Sequence, residues 1–175
     1  MADINVYDAT PRGLTFATKA ITVSVGYRHA TENRFQAHGD ARAAYQWIVE
    51  HAHELNGDST RLAFAGESAG ANLAANVAIV ARDQKTTMPV HQLLVYPIVG
   101  NDMDTPSYKE NAGAAPLGCA DMEWCVANVF QSPAKTADPH INLLGQDSLA
   151  DLPAAAVILA KIDPLRPEAR PMPPK

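Results

Sequence analysis

The stretch from Arg61 to Asp83, RLAFAGESAGANLAANVAIVARD, constrains this chain more than any other. Leu62 to Ala65 is a short apolar run that predicts a buried strand. Gly66-Glu67-Ser68-Ala69-Gly70 follows at once, and a strongly apolar helix pattern then runs to Asp83. Gly-x-Ser-x-Gly between a strand and a helix places a serine on a sharp strand-to-helix turn. A turn that tight strains the serine's backbone, and glycines two residues to either side omit the Cβ atoms that would obstruct it. The Ser68 hydroxyl is thereby lifted clear of the sheet at a helix N-terminus, where backbone N–H groups and the helix dipole favour a developing oxyanion. A serine in a glycine-flanked turn also occurs without chemistry. The flanking strand and helix favour the nucleophile.

The rest of the chain supplies a framework for that turn. Ile21 to Tyr27 is β-branched and predicts a strand. Asp8 or Thr10 is expected to cap a short helix before it. From about Asp40 to Leu55, the residues Ala41, Ala44, Tyr45, Ile48, Ala52 and Leu55 form one stripe at helical spacing, and Asn56-Gly57-Asp58 ends that helix. Pro89-Val90 is expected to begin a further strand, HQLLVYPIV, that ends at Gly100. Asn101 to Leu117 reads as loop, and a helix capped by Asp121 should run to Gln131. A last buried strand spans Ala155 to Ile162, with Asp163 at its end. Four strands alternating with helices imply parallel pairing through crossovers, so the fold class is α/β. Residues 1–166 form the expected core. In residues 167–175 the proline density excludes a helix and predicts disorder.

Composition narrows the function. The 175 residues are enough for one domain with a real core, and 47% hydrophobic with 19% charged residues is ordinary for a globular chain. A net charge of −5 without any Lys/Arg cluster argues against a nucleic-acid partner. The N-terminus lacks the apolar centre of a signal peptide, and no apolar run is long enough to span a bilayer, so the cytoplasm is the expected compartment. Cys119 and Cys125 have no metal-ligand or disulfide pattern. Asn101 to Asp104 lacks the glycine of a calcium loop, and His51 and His53 lack the spacing of a metalloprotease helix. No metal and no organic cofactor are expected. Trp47 and Trp124 sit among apolar neighbours at helical positions and are expected in the core.

Several of these residues together resemble a known family. Gly66-Glu67-Ser68-Ala69-Gly70-Ala71-Asn72-Leu73 is preceded by Tyr27-Arg28. It is followed by Leu94-Val95-Tyr96-Pro97, Ser107-Tyr108, Glu110-Asn111 and Asp163-Pro164-Leu165-Arg166. The set resembles the bacterial hormone-sensitive-lipase-like carboxylesterases of the α/β-hydrolase fold, over roughly Tyr7 to Arg166. The resemblance implies that Ser68 is the nucleophile, that Asp163 is the acid orienting a catalytic histidine, and that the N–H of Ala69 is an oxyanion donor. Gly66 and Gly70 are the motif glycines, and Glu32 matches the glutamate after the family's Tyr-Arg pair. An acid at the C-terminal end of a parallel strand also shares an edge with the elbow serine, and the order serine then aspartate suits this fold.

The departures are equally informative. The family's His-Gly-Gly-Gly loop is absent, and all six histidines (His29, His38, His51, His53, His91 and His140) precede Asp163. Gly26, His29, Thr31 and Gln36 stand where the family usually has Asp, Leu, Pro and Pro. The expectation is a partial α/β hydrolase, lacking the N-terminal strands and the C-terminal strand and helix. By resemblance it is a carboxylic ester hydrolase for small acyl esters, weakly active or inactive as this polypeptide. The rival reading is a dead remnant that binds acyl ligands or proteins. Of the histidines, only His140 stays open as a substitute base. Unpaired sheet edges predict self-association.

Overall fold

A computed structural model describes residues 3–31, 33, 36–100, 102–130 and 138–166. Glu32 and the proline-rich residues 167–175 lie outside them. The chain divides into two compact units, Met1–Ser59 and Thr60–Lys175.

In the first unit, α1 (Ala9–Thr18) begins at Asp8, whose side chain pairs with Arg12 one turn on instead of capping the helix. The long helix α2 runs Gln36–His51 and tightens into a 3-10 turn, Ala52–Leu55, that ends at Asn56 in a left-handed conformation. The stripe from Ala41 to Leu55 is its sheltered side, with Tyr45 and Ala52 buried. Arg28 donates to Asp40 through its backbone N–H (2.9 Å) and its guanidinium, and these hydrogen bonds hold the Asp40 carboxyl down at about 2.

Two expectations fail in this unit. Ile21 to Tyr27 is not a strand: the segment is extended but irregular, and Ile21, Val23 and Val25 are exposed. A strand exists only when its N–H and C=O groups find a ladder, and among the described residues this unit offers no second strand. Trp47 is surface rather than core, 46% exposed, with its ring stacked on His51 at 4.6 Å. It sits on the polar side of the stripe, where its flat face finds a partner four residues along the helix.

The second unit is a three-stranded parallel sheet, β1 (Ala63–Glu67), β2 (His91–Val95) and β3 (Ala155–Ile158), in the order β1-β2-β3. Ala65 pairs with Leu93 and Leu93 with Ala156, so sequence neighbours are also sheet neighbours. Three strands, not four, form the sheet among the described residues, and β3 stops four residues short of Ile162. Helix α3 (Ala69–Asp83) follows β1 and is buried from Ala71 to Ile79. Its Ala71, Ala74, Ala75 and Ile79 pack with Phe64, Leu94 and Val157 of the three strands. Alternation along each strand puts those three residues on one face. The opposite face is less covered: Ala63, Ala65, Ala156 and Ile158 are exposed.

Between β2 and β3 the chain is not all loop. A short helix α4 (Pro106–Glu110) is capped by Thr105, whose Oγ1 accepts the Tyr108 N–H, with Pro106 where an orphan N–H costs nothing. Helix α5 (Cys119–Val129) starts two residues earlier than expected. Asp121 is therefore not its cap but lies in the first turn, where it accepts the Gly118 N–H at 2.8 Å. Trp124 is 54% exposed, again surface rather than core, while Met122 is the residue α5 buries. Burial raises the Cys125 thiol above its usual range. No helix among the described residues is long and apolar enough to cross a membrane.

Candidate active site

Ser68 is the last residue before α3, with φ 54° and ψ −117°. Positive φ in a non-glycine residue is strained, at a cost of about 1–3 kcal/mol, and persists only where its surroundings enforce it. Here the enforcement is visible. The Ser68 N–H donates to the Val95 carbonyl at 2.9 Å, extending the β1–β2 ladder into the turn. Its own carbonyl accepts from Ala71 (3.1 Å), Asn72 (3.2 Å) and Ile98 (3.4 Å).

The two motif glycines differ in why they are there. A Cβ on Gly66 would lie 2.5 Å from the Gly70 carbonyl carbon and 2.6 Å from the Ala71 nitrogen, and closer still to the Gly70 oxygen. A Cβ on Gly70 would meet nothing within 4 Å. Only Gly66 is sterically compelled, because the helix folds back over β1 at that point. That corrects the expectation that both glycines clear the turn.

Ser68 is half-buried, and its hydroxyl makes no hydrogen bond among the described residues. Ala69 opens α3, so its N–H is one of the helix-start donors without an intrahelical acceptor. Asp163 lies beyond β3 and is 6% exposed. One carboxylate oxygen accepts the Leu165 N–H at 2.9 Å. Its carbonyl accepts the Ser107 hydroxyl at 2.8 Å. Ser68 and Asp163 follow the C-terminal ends of β1 and β3, with β2 between them. Asp163 lies five residues past Ile158, where β3 ends.

Of the six histidines only His91 and His140 belong to the unit that holds Ser68. His91 begins β2, at the sheet edge remote from Ser68. The His140 ring nitrogen Nδ1 lies 2.9 Å from Asp138, and its carbonyl accepts from Asn76 at 2.7 Å. Asn76 is eight residues beyond Ser68, about 12 Å along the helix axis at 1.5 Å per residue. That contact anchors the His140 backbone two turns along α3 from Ser68.

Two features escaped the sequence reading. Asn72 and Asn76, buried in an otherwise apolar helix, tie α3 to the loops beside it. The Asn72 amide donates to the carbonyls of Ile98 (2.8 Å) and Ile141 (3.3 Å), and Asn76 donates to Asn72 and His140. Their four-residue spacing was the available signal, since two asparagines on one face of an apolar helix need partners. Ser107 and Asn111, quoted above only as matching residues, both contact Asp163.

A strained serine joining a parallel strand to a buried helix, with a buried aspartate beyond the third strand, is the framework of a serine-elbow α/β domain. The chain belongs to the α/β-hydrolase fold family, whose model matches residues 1–173. It is 38% identical over 171 residues to the carboxylesterase NlhH of Mycobacterium tuberculosis, covering 95% of this chain and 53% of the relative. It is 38% identical over 173 residues to the esterase LipI of the same organism, covering 95% and 52%. The hyperthermophilic esterase of Pyrobaculum calidifontis superposes with a TM-score of 0.90 at 35% identity, over 95% of this chain and 55% of that one. The chain thus spans about half the length of the curated relatives it matches. Its kinship with the hormone-sensitive-lipase-like carboxylesterases stands, and the fold is a partial one.

Proposed function

We propose that the chain acts on carboxylic esters of small acyl groups, with Ser68 as the nucleophile. The observation that carries this reading is the positive φ of Ser68, held by Val95 and Ile98 and made possible by Gly66. In this reading Ser68 Oγ attacks the ester carbonyl, the Ala69 N–H receives the oxyanion, and the alkoxide leaves to give an acyl-enzyme that water hydrolyses. Asp163 is the acid that orients the histidine accepting the Ser68 proton. All six histidines precede Asp163 in the sequence, whereas the family's catalytic histidine follows the acid, and loss of that base costs on the order of 10⁶ in turnover in a comparable serine hydrolase. Slow, serine-dependent acylation is the expected behaviour.

The test is release of p-nitrophenolate from p-nitrophenyl acetate by the purified chain beside Ser68→Ala, with the acetylated residue located by mass spectrometry. Release that depends on Ser68, with the acetyl group on that residue, supports the reading. Equal release from both proteins overturns it and leaves acyl-ligand binding without turnover as the remaining role.

The same reading includes self-association. β1 and β3 are outer strands among the described residues, and Val90, Ile158 and Ile162 are 56%, 52% and 69% exposed around them. Unpaired strand edges beside apolar surface template pairing with another chain. Sedimentation over a tenfold dilution should show a weight-average mass above the monomer's that falls on dilution. A constant monomer mass rejects the idea.

A further inference from the structure

We propose that Ser107 and Asn111 are positioning residues that latch Asp163 in place, so that helix α4 sets where its carboxylate sits. The latch's catalytic meaning rests on the reading of Asp163 as triad acid, but its existence does not. Ser107 and Asn111 are 1% and 6% exposed. Burying a hydroxyl and a carboxamide is unfavourable unless both are hydrogen-bonded. Their bonds converge on one backbone group. Ser107 Oγ donates to the Asp163 carbonyl at 2.8 Å, and Asn111 Nδ2 reaches the same oxygen at 3.4 Å. Asn111 also donates to the Ser107 carbonyl at 3.0 Å and lies 3.3 Å from the Ser107 hydroxyl, so the two side chains brace each other.

The other end of Asp163 is held by its own turn. Oδ1 accepts the Leu165 N–H, and Leu165, 1% exposed, packs with Tyr108 of α4 and Met122 of α5. Outside, Arg166 pairs with Glu110 at 2.6 Å. That pair is partly exposed, and such pairs contribute little. The buried contacts carry the latch. Backbone carbonyl, carboxylate and following side chain are each fixed, so the carboxylate has one place to be. Placement matters because a displacement of about 1 Å in a catalytic constellation costs on the order of 10²-fold in rate.

The test reads the latch through the Leu165 amide, which reports the carboxylate directly and needs no turnover. In the full chain, Ser107→Ala should raise Leu165 hydrogen exchange about tenfold, the change expected for one lost buried hydrogen bond, while amides within α3 and β2 stay within about twofold. Ser107→Thr, which keeps the hydroxyl, should restore protection. Asn111→Ala, whose contact is longer, should act in the same direction with a smaller change and serves if Ser107→Ala does not fold. An unchanged Leu165 amide, a uniform rise at all amides, or no rescue by threonine overturns the proposal. Failure of the esterase assay leaves these readouts intact, so the two ideas fail separately.

Discussion

Gly66→Ala should destabilise the second unit by about 3 kcal/mol or more, at the upper end for forced overpacking, and abolish Ser68-dependent ester cleavage. The added methyl would sit 2.5 Å from the carbonyl carbon of Gly70, with the Ala71 nitrogen at 2.6 Å. These are backbone atoms of the first turn of α3. They cannot swing aside as a side-chain tip does. To make room, the helix start must lift off the strand, which breaks the Ser68 bonds to Val95 and Ile98. Gly70→Ala is the matched control. Its Cβ meets nothing, no described glycine has positive φ, and alanine is favoured over glycine in a helix by up to about 1 kcal/mol. Urea unfolding at one protein concentration, followed by circular dichroism, separates the two. Similar midpoints for both variants would mean that the turn does not depend on close approach at Gly66.

That contrast shows what a motif conceals. Gly-x-Ser-x-Gly treats its glycines alike, yet only one is compelled here, because steric demand depends on where the helix crosses the strand. Elements whose cause is local were legible. Helix α3 occupies Ala69–Asp83, the run read from its apolar residues, and the expected segments at Ala63, His91 and Ala155 became strands. The strain at Ser68 followed from the strand–turn–helix context, and the structure shows it as a positive φ. Elements whose cause is distant were not. Ile21 to Tyr27 has the composition of a strand, but a ladder needs a neighbour that composition does not report. Trp47 was misplaced because helical spacing identifies a stripe without saying which borderline residue falls outside it. The Ser107–Asp163 bond joins residues 56 apart, and no local pattern announces a pairing over that distance.

The buried asparagines of α3 give the other large effect. Asn76 is 6% exposed, and its Nδ2 faces three acceptors: the Asn72 carbonyl at 3.0 Å, the Asn72 side-chain oxygen at 3.0 Å and the His140 carbonyl at 2.7 Å. Asn76→Asp keeps shape and volume while placing a carboxylate oxygen where every neighbour is also an acceptor. The ionised form loses its hydrogen bonds and is repelled, so the expected destabilisation at neutral pH is about 3–5 kcal/mol. Asn76→Leu removes the donor without adding charge and should cost less, about 1–3 kcal/mol for the carbonyls left short. The pH dependence distinguishes the two causes. Burial and the surrounding oxygens raise the introduced carboxyl in the folded state above its unfolded value. Across that interval the folded state binds more protons than the unfolded state, so stability is greatest below the unfolded pKa and falls as pH rises through the folded one. The protonated acid can still donate to His140 or Asn72. Asn76→Asp should therefore approach the parent's stability toward pH 4 relative to pH 8, while Asn76→Leu stays displaced by a constant amount. If the aspartate variant showed no such recovery, or matched leucine at every pH, Asn76 would not be the donor clamped between α3 and the His140 loop.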